Sequence, residues 1–128
     1  MKFLTLKQVK AAAKRGKISA ARCSWKHHNQ LATCTYEEFL KQFDIYNDVI
    51  LGKFCALCHF ARGKDGKCHC RNRCRLANNS ECCKEWRDVW YKLFDLDEEN
   101  IQEKFHAYQA AEAALRDYIA SKYPELKK

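Results

Sequence analysis

CALCHFARGKDGKCHCRNRC, residues Cys55–Cys74, holds five cysteines and two histidines in one short stretch, and two more cysteines, Cys82 and Cys83, follow it. Cys55-Ala-Leu-Cys58 has the two-residue gap that lets a tight turn aim two sulfurs at one ion. Asp65-Gly66 is a hairpin signal that turns the chain back. In Cys68-His69-Cys70 the two sulfurs leave the same side of an extended strand. Cys70 and Cys74, four apart, share one face of a helical turn. A tetrahedral site needs two such pairs face to face, and Cys55, Cys58, Cys70 and Cys74 are the expected ligands, with Cys68, Cys82 and Cys83 as substitutes. Zn2+ is the expected ion. An iron–sulfur cluster is the alternative metal centre and a disulfide cluster the non-metal one, because thiolates suit all three.

The rest of the chain decides between these. It has 128 residues, enough for one core, and nine cysteines, an odd number that does not form a complete set of intrachain bridges. The N-terminal apolar run, Phe3 to Leu6, ends at Lys7, too short for the core of a secretory signal, and no apolar run approaches a membrane span. A cytoplasmic protein with no membrane partner is expected, and in that reducing setting clustered cysteines favour metal over disulfides. Cys23, His27, His28 and Cys34 form a second cluster in which Cys23 and His27 have a ligand spacing. Its plainer reading is a half-buried cysteine beside exposed histidines.

Outside the cysteine segment the pattern is helical. Thr5 with Gln8 forms a capping box ahead of a helix over 6–15 that stops at Gly16. Ser24 is placed to cap a second helix with an inner face of Trp25, His28, Leu31 and Ala32, and Thr35 with Glu38 opens a third carrying Phe39 and Phe43. Val49, Ile50 and Leu51 suggest a short strand leading into the cysteines. Beyond Ser80, Trp86, Val89, Trp90, Leu93 and Phe94 recur at helical steps. Ile101, Phe105, Tyr108, Leu115, Tyr118 and Ile119 then mark one face of a final helix over 97–122. At about 39 Å that helix is long enough for part of it to project toward a partner, although a core could use all of it. The expected fold is mainly α with a short zinc-knuckle β-hairpin. It forms a single domain: basic N-terminal helices over 1–47, the knuckle over 48–84 and C-terminal helices over 85–128.

The net charge of +8 is unevenly spread. Residues 1–33 carry eight Lys/Arg and no acid, residues 55–84 carry seven against two acids, and residues 85–128 carry seven against ten. Two basic blocks point to a polyanion, with a solvated basic face as the plain alternative. Lys14, Arg15, Lys17 and Arg22 from the first block, with Lys7 and Lys10 beside them, and Lys67, Arg71, Arg73 and Arg75 from the second are the expected phosphate contacts; Trp25 and Phe60 are candidates to stack on bases. The knuckle cations also lie where they would favour thiolate over thiol.

The string Cys55-Ala-Leu-Cys58, then Cys74-Arg-Leu76, then Cys82-Cys83-Lys-Glu-Trp86 resembles a pattern in small bacteriophage-encoded proteins of no assigned function. Their middle element usually reads CxxC followed by Pro-Leu, whereas here the gap is three residues and Arg75 stands in the proline's place. The resemblance covers residues 53–91 and implies a phage origin, a host-cell cytoplasmic setting and a small metal-stabilised fold, with no activity attached. No P-loop, GxGxxG, HExxH or serine elbow is present, and His27-His28-Asn29 lacks nearby acids, so a non-enzyme is expected. Two binding roles follow: nucleic acid held on the basic surface, or a host protein held by the C-terminal helices.

Overall fold

A computed structural model describes residues 2–43, 56–61, 84–97 and 99–127. They form α1 (Leu6–Lys14), α2 (Lys17–Thr33), α3 (Tyr36–Gln42), α4 (Ala56–Ala61), α5 (Lys84–Phe94), α6 (Ile101–Lys122) and a closing 3-10 turn, Pro124–Lys127. No strand occurs among the described residues. The expected strand at Val49–Leu51, the Asp65-Gly66 turn and the hairpin lie outside them. Ala56–Ala61, expected as part of a tight-turn knuckle, is helical instead. The two-residue gap of Cys55-Ala-Leu-Cys58 also suits a helix, in which positions three apart share a face.

Both capping boxes form. Thr5 Oγ1 accepts from the Gln8 amide at 3.2 Å while Gln8 Oε1 accepts from the Thr5 amide at 2.9 Å. Thr35 and Glu38 repeat the exchange at 3.1 and 2.9 Å. These local hydrogen bonds satisfy amides that a helix start leaves orphaned. Between α1 and α2 the chain turns at Gly16, whose φ of 124° and ψ of 179° are open to glycine alone.

α2 begins at Lys17, so Ser24 lies in its middle rather than at its cap. Fully buried, Ser24 caps a different helix: its Oγ accepts the Leu57 amide of α4 at 2.9 Å. Ala20 and Ala21, also fully buried, keep this side of α2 slim, and both α1 and α4 pack on it. α6 lies along α2 and carries α5 on a further side. At the far end of α2, Gln109 Nε2 of α6 donates to the carbonyls of Leu31 at 3.1 Å and Cys34 at 2.7 Å, closing the helix terminus from another element.

One core cluster runs through the frame. Val9, Leu31, Phe39, Leu57, Val89, Phe105, Leu115 and Ile119 are buried in it. Edge-on and tilted aromatic contacts hold α3 to α6, with Phe39 5.6 Å from Phe105 and 5.5 Å from Tyr108. α6 starts at Ile101, after left-handed Asn100, and its buried positions run from Phe105 to Ile119, so the helix is used by the core along its length. Of the expected stripe on α5, Val89 and Leu93 are buried, whereas Trp90 and Phe94 are 37% and 57% exposed beside Tyr91 at 58%. No described helix is long and apolar enough to cross a membrane.

Candidate functional site

On α1, Lys7, Lys10 and Lys14 occupy positions i, i+3 and i+7 and are exposed. On α2, Arg22, Lys26 and Asn29 follow at i, i+4 and i+7. Between the two helices lies a groove of about 620 Å³ whose lining includes Gln8, Arg15, Ser19, Arg22, Trp25, Lys26 and Asn29. Three cations line it, and among the described residues no carboxylate does. Trp25 is half-buried, packed against the core while still lining the groove, which gives the cations an aromatic neighbour. Arg116 of α6 reaches the groove's edge, its Nη1 donating to Asn29 Oδ1 at 2.8 Å.

Of the expected phosphate contacts, Arg15 and Arg22 meet in this groove. Lys14 and Lys17 are exposed at the corner around Gly16 and do not line it. Lys67, Arg71, Arg73 and Arg75 lie outside the described residues. Lys26 is an addition that its i+4 step from Arg22 would have found. Phe60, expected as a stacking residue, is half-buried against the core and lines neither groove wall.

The opposite side of α2 carries a buried polar constellation. Glu112, 0% exposed in the apolar face of α6, engages both oxygens: Oε1 pairs with His28 Nδ1 at 2.8 Å and Oε2 accepts from the Tyr108 hydroxyl at 2.6 Å. His28 is 1% exposed and His27 is also buried, so the expectation of exposed histidines is corrected. The side of α2 they occupy faces Phe43, Trp86 of α5 and Glu112 of α6 rather than water. Their rings lie 4.9 Å apart; His27 also meets Phe43 at 6.0 Å, and His28 meets Trp86 at 6.2 Å. Burial, then the neighbouring His28 charge, holds the His27 imidazole well below its ordinary value. Burial and the Glu112 carboxylate push the Tyr108 phenol well above its own.

Cys34 is buried at the end of α2, its Sγ 3.6 Å from the Leu31 carbonyl, and burial with the Glu38 carboxylate pushes its thiol up to about 11. Cys23 is half-buried and lines the groove. Cys23, His27, His28 and Cys34 therefore do not converge, and no group of three or more metal-ligating side chains occurs among the described residues. Of the expected zinc ligands, Cys55, Cys70 and Cys74, with the substitutes Cys68, Cys82 and Cys83, lie outside the described residues. Cys58 falls within α4. Sequence reasoning missed Glu112, although a lone acid four residues after Tyr108 inside an apolar stripe was the signal. Compared with known proteins, the chain matches no family, no curated sequence and no solved structure.

Proposed function

We propose that this is a small zinc-stabilised, non-catalytic binding module of phage type, working in the host cytoplasm, that grips nucleic-acid phosphates through the groove between α1 and α2. The observation that carries the reading is the groove's composition: Arg15, Arg22 and Lys26 around Trp25, with no carboxylate among its lining residues. Guanidinium and ammonium groups take phosphates, and a half-buried indole offers a face on which any base can stack. Lys7, Lys10 and Lys14 extend the positive surface along α1, and Lys67, Arg71, Arg73 and Arg75 form a second basic block in the sequence. The lack of a recognisable catalytic motif supports the non-catalytic part.

The test is binding of labelled single- and double-stranded DNA and RNA oligonucleotides followed by anisotropy. Three phosphate contacts give a slope of about −2 to −3 in log K against log salt between about 50 and 200 mM, and Arg22→Ala makes it shallower by about 1. Absence of binding to every oligonucleotide at low salt overturns the reading.

A second reading has a specific observation behind it: the exposed cluster of Trp90, Tyr91 and Phe94 on α5, with Trp90 and Phe94 edge-on at 4.8 Å. Aromatic side chains of this kind anchor protein interfaces. In this alternative the C-terminal helices hold and modulate a host protein. It is tested with Trp90→Ser and Phe94→Ser, which abolish capture of that host protein while leaving oligonucleotide binding unchanged.

A further inference from the structure

The α2 wall of the groove carries a cation, an indole, a second cation and an amide in one stripe. Arg22, Trp25, Lys26 and Asn29 stand at i, i+3, i+4 and i+7 of the helix, and all four line the groove. Arg22 and Lys26 are exposed and lie one turn apart, about 6 Å along the axis, with Trp25 in the same turn. Among the described residues no carboxylate pairs with either cation. Nor does another ring stack on Trp25.

The amide of Asn29 has its orientation set from outside the groove. Arg116 Nη1 donates to Asn29 Oδ1 at 2.8 Å, and Arg116 is itself steadied by Asp117, Nε to Oδ1 at 3.0 Å. A guanidinium has no acceptor, so the oxygen end of the amide meets Arg116 and the NH2 end is left for the groove that Asn29 lines. A donor one turn from a stacking face suits the carbonyl oxygens and ring nitrogens of a base edge. In a duplex those edges are paired and both faces of each base are covered by its neighbours, so a base reaches a half-buried indole only once it is unstacked. A duplex laid on this surface meets the exposed cations alone.

We infer that the groove selects single-stranded nucleic acid over duplex, with one unpaired base stacked on Trp25, its edge met by the Asn29 amide, and the flanking phosphates held by Arg15, Arg22 and Lys26. The inference rests on the reading that this groove binds nucleic acid, and it names the substrate class. It also runs against charge density. Phosphate contacts alone favour the duplex, whose charges are packed more closely, so a preference for the single strand has to come from the bases.

The test uses the full chain and three end-labelled probes of equal length, each as DNA and as RNA: a single strand, its duplex, and the same strand made abasic. The single strand is expected to bind at least about fivefold tighter than the duplex at the same salt concentration. Trp25→Leu weakens single-strand binding by about 5- to 100-fold and leaves duplex and abasic binding, and the salt slope, unchanged. Asn29→Ala weakens binding of the base-bearing strand by about threefold or more and spares the abasic one. In the Trp86→Phe/Trp90→Phe protein Trp25 is the one remaining indole, and its fluorescence falls on adding the single strand but not the abasic strand. That measurement stands even if Trp25→Leu does not fold. No binding of any probe at low salt overturns the nucleic-acid reading itself. A duplex bound as tightly as the single strand, Trp25 emission blind to bases, or unchanged affinity in a folded Trp25→Leu protein overturns the single-strand inference and leaves the nucleic-acid reading standing. Equal losses on base-bearing and abasic strands in Asn29→Ala overturn the edge contact.

Discussion

His28 and Glu112, 84 residues apart in the chain, meet at 2.8 Å in the interior of the helix pair α2–α6. A carboxylate buried this deeply is stable only while both oxygens are engaged. Glu112→Ala should therefore cost about 3–5 kcal/mol, since it strands a buried imidazole. Tyr108→Phe, which removes one charge-assisted bond and keeps the ring in the core, should cost about 2 kcal/mol. Urea unfolding of the three proteins, analysed as a two-state transition, measures both; equal costs for the two variants would contradict a shared carboxylate.

The His27 imidazole sets a pH dependence whose sign is fixed by the direction of its shift. Its folded value is held below the unfolded value of about 6.5 by burial first and by His28 second, so the unfolded chain binds the extra proton. His27 leaves stability unaffected above about pH 6.5 and lowers it as pH falls below that, by about 1.4 kcal/mol per unit while the folded ring stays neutral. Unfolding free energies from pH 7 down to pH 5 should fall less steeply in His27→Gln by about this slope.

Gly16 joins α1 to α2 with a φ of 124°, and an added Cβ would meet nothing within 4 Å. Its replacement isolates backbone strain from steric conflict. Gly16→Ala should cost about 1–3 kcal/mol although no contact is lost. A thermal midpoint equal to that of the parent would mean that the corner re-forms with another backbone conformation.

The two cysteines of α2 and its cap differ in environment and should differ in reactivity. Cys34 is buried with its thiol pushed up to about 11, leaving about one molecule in a thousand as thiolate at pH 8, whereas Cys23 is half-buried and lines the groove. Brief alkylation at pH 8 with peptide mapping should modify Cys23 at least about tenfold faster than Cys34. Comparable rates would show that the end of α2 opens on the labelling timescale.

What could be read from the sequence was local. The Thr5–Gln8 and Thr35–Glu38 boxes are exchanges across three residues, and the apolar steps of α1, α3 and α6 are periodicities within one helix, so each is written in a single window of chain. Ser24 is a capping residue by type, but the amide it caps lies 33 residues away, a partner no window contains. The same holds for Glu112, whose acid looks out of place in an apolar face until His28 and Tyr108 are brought to it. Charge alone picks out Arg15 and Arg22, and the packing of α1 on α2 separates them from Lys14 and Lys17 and adds Lys26.

The two ties of α2 to Leu57 and Trp86 have a consequence for chain entropy. They close a loop of the 28 residues between them, and bringing the ends of such a loop together costs about 3 kcal/mol in the logarithmic term alone. The helical frame meets that cost when it folds, and one face of α2 then holds both Leu57 and Trp86. A substitution deep between α2 and α6 that displaces His28 therefore also frees Trp86, an anchor 58 residues further along the chain.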